Sequence, residues 1–180
     1  MYTDEELLER FFHGDNPDYA FNLIVRQYQQ ALYWHIRRLV ISHEDANDIV
    51  QDVFIKAWRA LAKFRGDSGL YTWLYRIATN EALTFLKRKK TRFLLPLVDL
   101  ERQLAETLES DVFYEGKAIE KEIQKAILSL PEKQRVVFNL RYYDEMKYED
   151  MARILDTSAG ALKASYHHAV KKIEKYIKQD

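Results

Sequence analysis

Apolar positions recur along this chain at intervals of three and four almost without interruption, the spacing that lines one side of an α-helix. Leu7, Leu8, Phe11 and Phe12 give a first short helix its apolar side, and Thr3 with Glu6 makes a capping box at its start. Gly14-Asp15-Asn16-Pro17 stops that helix and opens the next, with Asn16 as N-cap and Pro17 at the first helical position. Phe21, Ile24, Val25, Tyr28, Leu32, Leu39 and Val40 carry the second helix to about residue 41. Ser42 with Asp45 opens a third over about 43–63, and the loop 64–69 separates it from a fourth over about 70–90. Periodicity weakens from Thr91 to Gly116, where Leu100, Leu104 and Leu108 suggest one side of a short acidic helix. It resumes over about 118–129, 131–142, 148–155 and 158–178. No segment of useful length has strand period, and there is no internal repeat.

The pattern predicts an all-α chain of two small helical bundles joined by a flexible linker, the C-terminal bundle a helix-turn-helix. The boundaries are 1–92, an acidic linker over 93–117, and 118–180. Drawn out, about 25 linker residues reach up to ~80 Å, so the flanking bundles need not touch.

Composition narrows the function. The 180 residues include no Cys, which removes disulfides, thiolate metal sites and a Cys nucleophile and suits a reducing cytoplasm. No stretch has the length of a membrane span, and the acidic start (Asp4, Glu5, Glu6) is unlike a signal peptide, so neither membrane insertion nor export is expected. The formal net charge is zero, but the charges are sorted. Residues 1–52 carry 4 basic and 10 acidic groups, residues 53–92 carry 10 and 2, residues 93–120 carry 2 and 7, and residues 121–180 carry 12 and 9. Two basic regions set between acidic ones point to a polyanion touched at two places and a protein partner elsewhere.

The third helix has a second face. Ala46, Ile49, Val50, Val53, Phe54, Ala57 and Leu61 fall on its core side. Asp48, Gln51, Asp52, Ile55 and Arg59 fall opposite, with Trp58 at the border. An Ile ringed by carboxylates and an amide fits a helix-docking patch with a small apolar centre and charged rim. A solvated face with one stray apolar residue is the plainer alternative. Asp45, Asp48 and Asp52 lie on neighbouring turns, but a metal centre in a bundle needs ligands facing inward from several helices, and Asp48 and Asp52 face away from the core.

Residues 71–92 interleave Tyr71, Trp73, Tyr75 and Phe85 with Arg76, Lys87, Arg88, Lys89, Lys90 and Arg92, and include Thr79 and Asn80. Cations attract phosphates regardless of sequence, and aromatic rings stack on unpaired bases, a mixture suited to single strands. The alternative is that the rings are core and the Lys run is a helix end favoured by the dipole. Near the C-terminus, Tyr148–Leu155 is a short helix with Met151, Ala152 and Leu155 inward, and Asp156-Thr157-Ser158 turns into a longer one. That last helix sets Leu162, Tyr166, Ala169, Val170, Ile173 and Ile177 against Ala164, His167, His168, Lys171, Lys175 and Lys178, with Lys163 on the flank. Small residues near its start (Gly160, Ala161, Ala164) let it approach a groove floor. An ordinary capped amphipathic helix is the alternative.

His167 and His168 diverge too far to chelate together, and His13, His35 and His43 have no carboxylate or Cys motif beside them. There is no Gly-rich phosphate loop, nucleophile elbow or zinc signature. No catalytic residue, metal or cofactor is expected, and the protein is expected not to be an enzyme.

Three segments then resemble one family. Asp45–Trp58 is similar to the core-polymerase-binding segment of extracytoplasmic-function (ECF, group 4) sigma factors. Phe64-Arg65-Gly66 followed by Tyr71–Asn80 looks like their −10 segment, and Leu130–Phe138 with Tyr148–Ala152 resembles their −35-binding domain. The resemblance implies a cytoplasmic bacterial transcription initiation factor that binds core RNA polymerase and directs it to promoters. It implies that Asp48, Gln51, Asp52, Ile55 and Arg59 grip the clamp helices of the β′ subunit, with the β flap as a further polymerase contact. It implies that Arg65, Gly66, Asp67, Ser68 and Asn80 hold a flipped −10 base. Trp73 and Tyr75 would lie near the melting point, and Arg76, Lys87 and Arg88 along the strand. Ser158, Gly160, Lys163, Ala164, His167, His168 and Lys171 would meet the −35 element. The acidic linker would thread toward the RNA exit path. Promoter DNA and an anti-sigma factor are the implied further partners, and the free protein is expected to be a monomer. Many family members place Arg in the last helix, where this chain has Lys163, Ser165, His168 and Val170, so its −35 reading leans on phosphates and DNA shape. The rival functions are a stand-alone helix-turn-helix regulator with an N-terminal helical sensor domain and, more distantly, a helical-bundle metalloenzyme.

Overall fold

The computed structural model describes residues 1–92 and 97–178, and within these the chain is helical with no strand. The helices are α1 (Asp4–His13), α2 (Pro17–Val40), α3 (His43–Leu61), α4 (Leu70–Arg92), α5 (Leu97–Glu109), α6 (Ala118–Leu128), α7 (Glu132–Tyr142), α8 (Tyr148–Leu155) and α9 (Ala159–Ile177), with a 3-10 turn at Val112–Tyr114. The capping signals act as read from sequence. Thr3 Oγ1 accepts the Glu6 amide at 3.1 Å while the Glu6 carboxylate accepts the Thr3 amide at 2.8 Å. Asn16 caps α2 through the Tyr19 amide at 2.9 Å, Ser42 caps α3 through the Asp45 amide at 3.2 Å, and Ser158 caps α9 through the Ala161 amide at 3.2 Å.

Helices α1–α4 pack around Ile24, Leu32, Ile36, Val53, Leu61, Leu74 and Ala78, all fully buried. Helices α6–α9 enclose Ile127, Leu130, Phe138, Leu140, Met151, Leu162 and Ala169. Asp156, at φ 53°, closes α8 in the left-handed region, so the chain turns sharply into α9 and the pair takes helix-turn-helix form.

One expectation is corrected. The segment read as a flexible linker is helical over Leu97–Glu109 and then makes the 3-10 turn. Leu100, Leu104 and Leu108 are buried along one side of α5, so the weak leucine spacing was a genuine docking stripe. The expectation for Phe93–Pro96 lies outside the described residues. The two bundles also touch: α4 packs on α8 and α2 on α7, and one apolar cluster runs from Leu74 and Leu86 through Leu104 to Val136 and Met151. Leu104→Ala is expected to lower stability by about 2–5 kcal/mol, measurable as a lower urea midpoint, because the cavity it leaves is walled on all sides. A surface tether would give a change within about 0.5 kcal/mol.

Candidate nucleic-acid and partner interfaces

Helix α3 divides as its sequence predicts. Ala46, Ile49, Val53, Phe54, Ala57 and Leu61 are buried, whereas Asp48, Gln51, Asp52, Ile55 and Arg59 are exposed. Ile55 is 48% and Trp58 40% exposed, large fractions for such side chains. Trp58 is held edge-on by Phe21 of α2 at 5.0 Å and Phe11 of α1 at 5.9 Å between ring centroids. A shallow groove of about 640 Å³ results, lined by Asp18, Phe21, Phe54, Ile55, Trp58 and Arg59. The stiff aromatic wall beside Ile55 was not anticipated, because the α1 and α2 rings that build it read from sequence as ordinary core. Lys56 stands apart from this face and pairs with Glu81 of α4 at 2.5 Å, fixing α3 against α4.

The loop between α3 and α4 opens onto a cavity of about 550 Å³ walled by Lys63, Phe64, Arg65, Asp67, Ser68, Thr72, Trp73 and Arg76, together with Arg153 of α8 and Asp156 just beyond its end. Gly66 sits at φ 73°, a conformation that favours glycine, so the loop reverses there. The exposed pair Arg65–Asp67 spans the bend at 3.0 Å, and the Ser68 hydroxyl donates to the Gly69 carbonyl at 3.3 Å. Trp73 is half-buried with its ring 5.2 Å from Phe64, forming one wall. Arg76, Asn80, Lys87 and Arg88 are exposed along α4. The loop and the exposed side of α4 thus form one basic strip with an aromatic wall at its head, a surface that attracts phosphates and offers a stacking plane.

Tyr75 lies elsewhere. It is 1% exposed, packed against Tyr71 at 4.5 Å and His35 at 5.0 Å, so in this arrangement its ring is closed off from any strand. Its hydroxyl donates to Asp144 at 3.2 Å. Burial, reinforced by the Asp144 charge, pushes the phenol well above its ordinary range. His35, which has no partner motif in the sequence around it, meets the same carboxylate: its Nδ1 lies 3.2 Å from Asp144, and its Nε2 lies 2.8 Å from the Thr79 hydroxyl. The pairing spans 109 residues, so no local signal foretold it. Arg37 is buried as well and pairs with Asp111 beside the 3-10 turn. Arg38 stacks over Tyr143 at 4.1 Å, and burial holds that phenol up at about 12.

On α9, Leu162, Ala169 and Ile173 are buried while Lys163, Ala164, His167, His168 and Lys171 are exposed together. A Cβ built on Gly160 would meet nothing within 4 Å, so the start of α9 faces open space. Lys163 Nζ lies 5.7 Å over the Tyr148 ring, which Arg141 also covers at 4.9 Å. Ser158 spends its hydroxyl oxygen on the cap and so acts first as a local structural group. No helix among the described residues is long and apolar enough to cross a membrane.

Comparisons with known proteins agree on both halves. The family model for sigma-70 region 2 matches residues 24–92, and that for sigma-70 region 4 matches residues 120–173. The RNA polymerase sigma-H factor of Pseudomonas aeruginosa is 35% identical over 184 residues, covering 97% of this chain and 93% of that protein. The ECF RNA polymerase sigma-E factor of Escherichia coli K12 is 37% identical over 185 residues, covering 97% and 94%. Among solved structures, CnrH in complex with the cytosolic domain of CnrY matches with a TM-score of 0.71 at 25% identity over 98% of both chains. The sigma factor RpoE of Bartonella quintana, in complex with the anti-sigma factor NepR, shares the fold with a TM-score of 0.68 at 22% identity, over 89% of this chain and 98% of that one. With both regions matched in order and relatives aligned nearly end to end, the chain belongs to the sigma-70 family, in its extracytoplasmic-function branch.

Proposed function

We propose that this protein, by family a promoter-specificity factor of RNA polymerase, divides that task among three surfaces. The outward face of α3 (Asp48, Gln51, Asp52, Ile55, Arg59) docks helices of the polymerase core, with the β′ clamp helices as the partner that the family resemblance implies. The loop 65–68 with Trp73, Arg76, Asn80, Lys87 and Arg88 takes the −10 strand. The exposed side of α9 (Lys163, Ala164, His167, His168, Lys171) enters the −35 groove. The protein works by binding alone, as a monomer in the cytoplasm. The observation that carries this reading is the split of α3: its outer face keeps Ile55 and Trp58 exposed amid charge while its inner face is fully packed.

A stand-alone helix-turn-helix regulator would need neither that face nor the basic strip beside it. An anti-sigma partner belongs to the proposal because the solved relative from Bartonella quintana was captured with one, and the same two bundles are present here. Run-off transcription with core polymerase over a randomised promoter library tests the whole assignment: discrete −10 and −35 preferences are expected, and their absence refutes it.

The Asn80 side chain is exposed and makes no hydrogen bond among the described residues, so its amide is available to a base edge. In the same assay Asn80→Ala is expected to relax base preference at −10 by about 5- to 10-fold, in line with ~1–1.5 kcal/mol for a lost neutral hydrogen bond. Polymerase affinity is expected to stay constant. An unaltered base preference removes Asn80 from the −10 site.

A further inference from the structure

The C-terminal bundle does more than sit beside the −10 surface. It covers part of it, through a contact centred on Asp144 in the loop between α7 and α8. The Asp144 side chain is 6% exposed, and among the described residues its hydrogen-bond and ion-pair partners lie in the N-terminal bundle. It accepts from the Tyr75 hydroxyl at 3.2 Å and from His35 Nδ1 at 3.2 Å, and lies 3.5 Å from Arg38 Nη1. Tyr75 and Thr79, the latter bonded to the same His35 ring, both belong to α4, the helix that carries the −10 residues. Further along the chain, Arg153 of α8 and Asp156 at its C-cap stand on the wall of the cavity formed by the −10 loop. Both side chains occupy that wall, so a strand entering the cavity meets the C-terminal bundle.

Around Asp144 the contact is polar, although an apolar cluster also runs between the bundles and must part with it. The polar members can all be rehydrated on separation, as in interfaces between domains that move. Arg38 Nη1 is buried and completes no hydrogen bond, so the closed state leaves one donor that water would satisfy on opening.

We propose that Asp144 is a latch that holds the C-terminal bundle over the −10 site, so that closure and single-strand binding exclude one another. The inference rests on the assignment of the −10 surface above and adds its regulation. Anything that parts Asp144 from Tyr75 and His35 frees Tyr75 and unroofs the cavity. By linkage, a bound strand favours the open form to the same extent.

The test uses the full chain and a fluorescein-labelled, degenerate single-stranded DNA 12-mer, read by anisotropy, with small-angle scattering on the same samples. Asp144→Ala is expected to enlarge the radius of gyration and to tighten strand binding by about tenfold, the change that ~1.4 kcal/mol of lost closure gives. Saturating oligonucleotide is expected to enlarge the unmodified protein likewise. An unchanged radius with unchanged affinity shows that Asp144 is no latch. A larger radius with unchanged strand affinity shows that closure does not mask the site. If Asp144→Ala opens the molecule and neither protein binds the strand, the −10 assignment itself fails, and the masking with it. Should Asp144→Ala lose its cooperative melt, Arg38→Gln, which weakens the same contact from a partly exposed position, is expected to shift both readouts in the same direction; no shift in either overturns the proposal.

Discussion

Asp52→Lys is expected to weaken binding to core RNA polymerase by two orders of magnitude or more while leaving the fold unchanged. Asp52 is exposed, on the side of α3 opposite the packed residues Val53 and Ala57, and among the described residues no basic side chain pairs with it. Folding therefore asks little of it, and a surface change of this kind stays within about 0.5 kcal/mol of the parent stability. Binding asks more. Reversing a charge in the rim of a docking patch sets like charges against one another where attraction is expected, which costs several kcal/mol. Titration of labelled protein with core polymerase measures the loss, and a melting curve on the same sample shows that the fold persists. Full affinity in the variant refutes the docking face. Ile55→Ala makes a useful companion because it removes apolar contact without touching charge; its loss should be smaller and independent of salt.

The second large effect is the response of DNA binding to salt. Lys163, Lys171 and Lys175 of α9 and Lys178 at its C-cap are exposed. If about four phosphates are neutralised, affinity for a −35 duplex should fall about 150-fold between 50 and 200 mM salt, from a slope of ~0.9 per phosphate. Lys171→Ala should lower that slope by about one and weaken all sequences alike, which separates a phosphate contact from a base contact. His168→Ala should instead change the preferred sequence at constant slope. An affinity that ignores salt contradicts anchoring through the phosphates, and with it the reading of α9 as the −35 helix.

Much of this was legible in sequence because it is local. Caps at Thr3, Asn16, Ser42 and Ser158, the helical spacing, and the two-sided character of α3 and α9 each depend on residues within a few turns of one another. What escaped depends on residues far apart. Tyr75 reads as a stacking aromatic from its basic neighbours, yet its surroundings are set by His35 and Asp144, 40 and 69 positions away. Arg37 has the composition of a surface residue and is buried because Asp111 comes to it. Helix α5 fell between the two cases. Its leucine spacing was visible, but three apolar positions in an acidic stretch gain their meaning only from the hollow that receives them.

That helix also stores reach. Its 13 residues span ~20 Å coiled and ~45 Å drawn straight, so unravelling it more than doubles its span. The restraint on that extension is the burial of Leu100, Leu104 and Leu108, and it is lost as they come away together. Any extension of the connection between the two bundles therefore comes at the cost of exposing those three leucines.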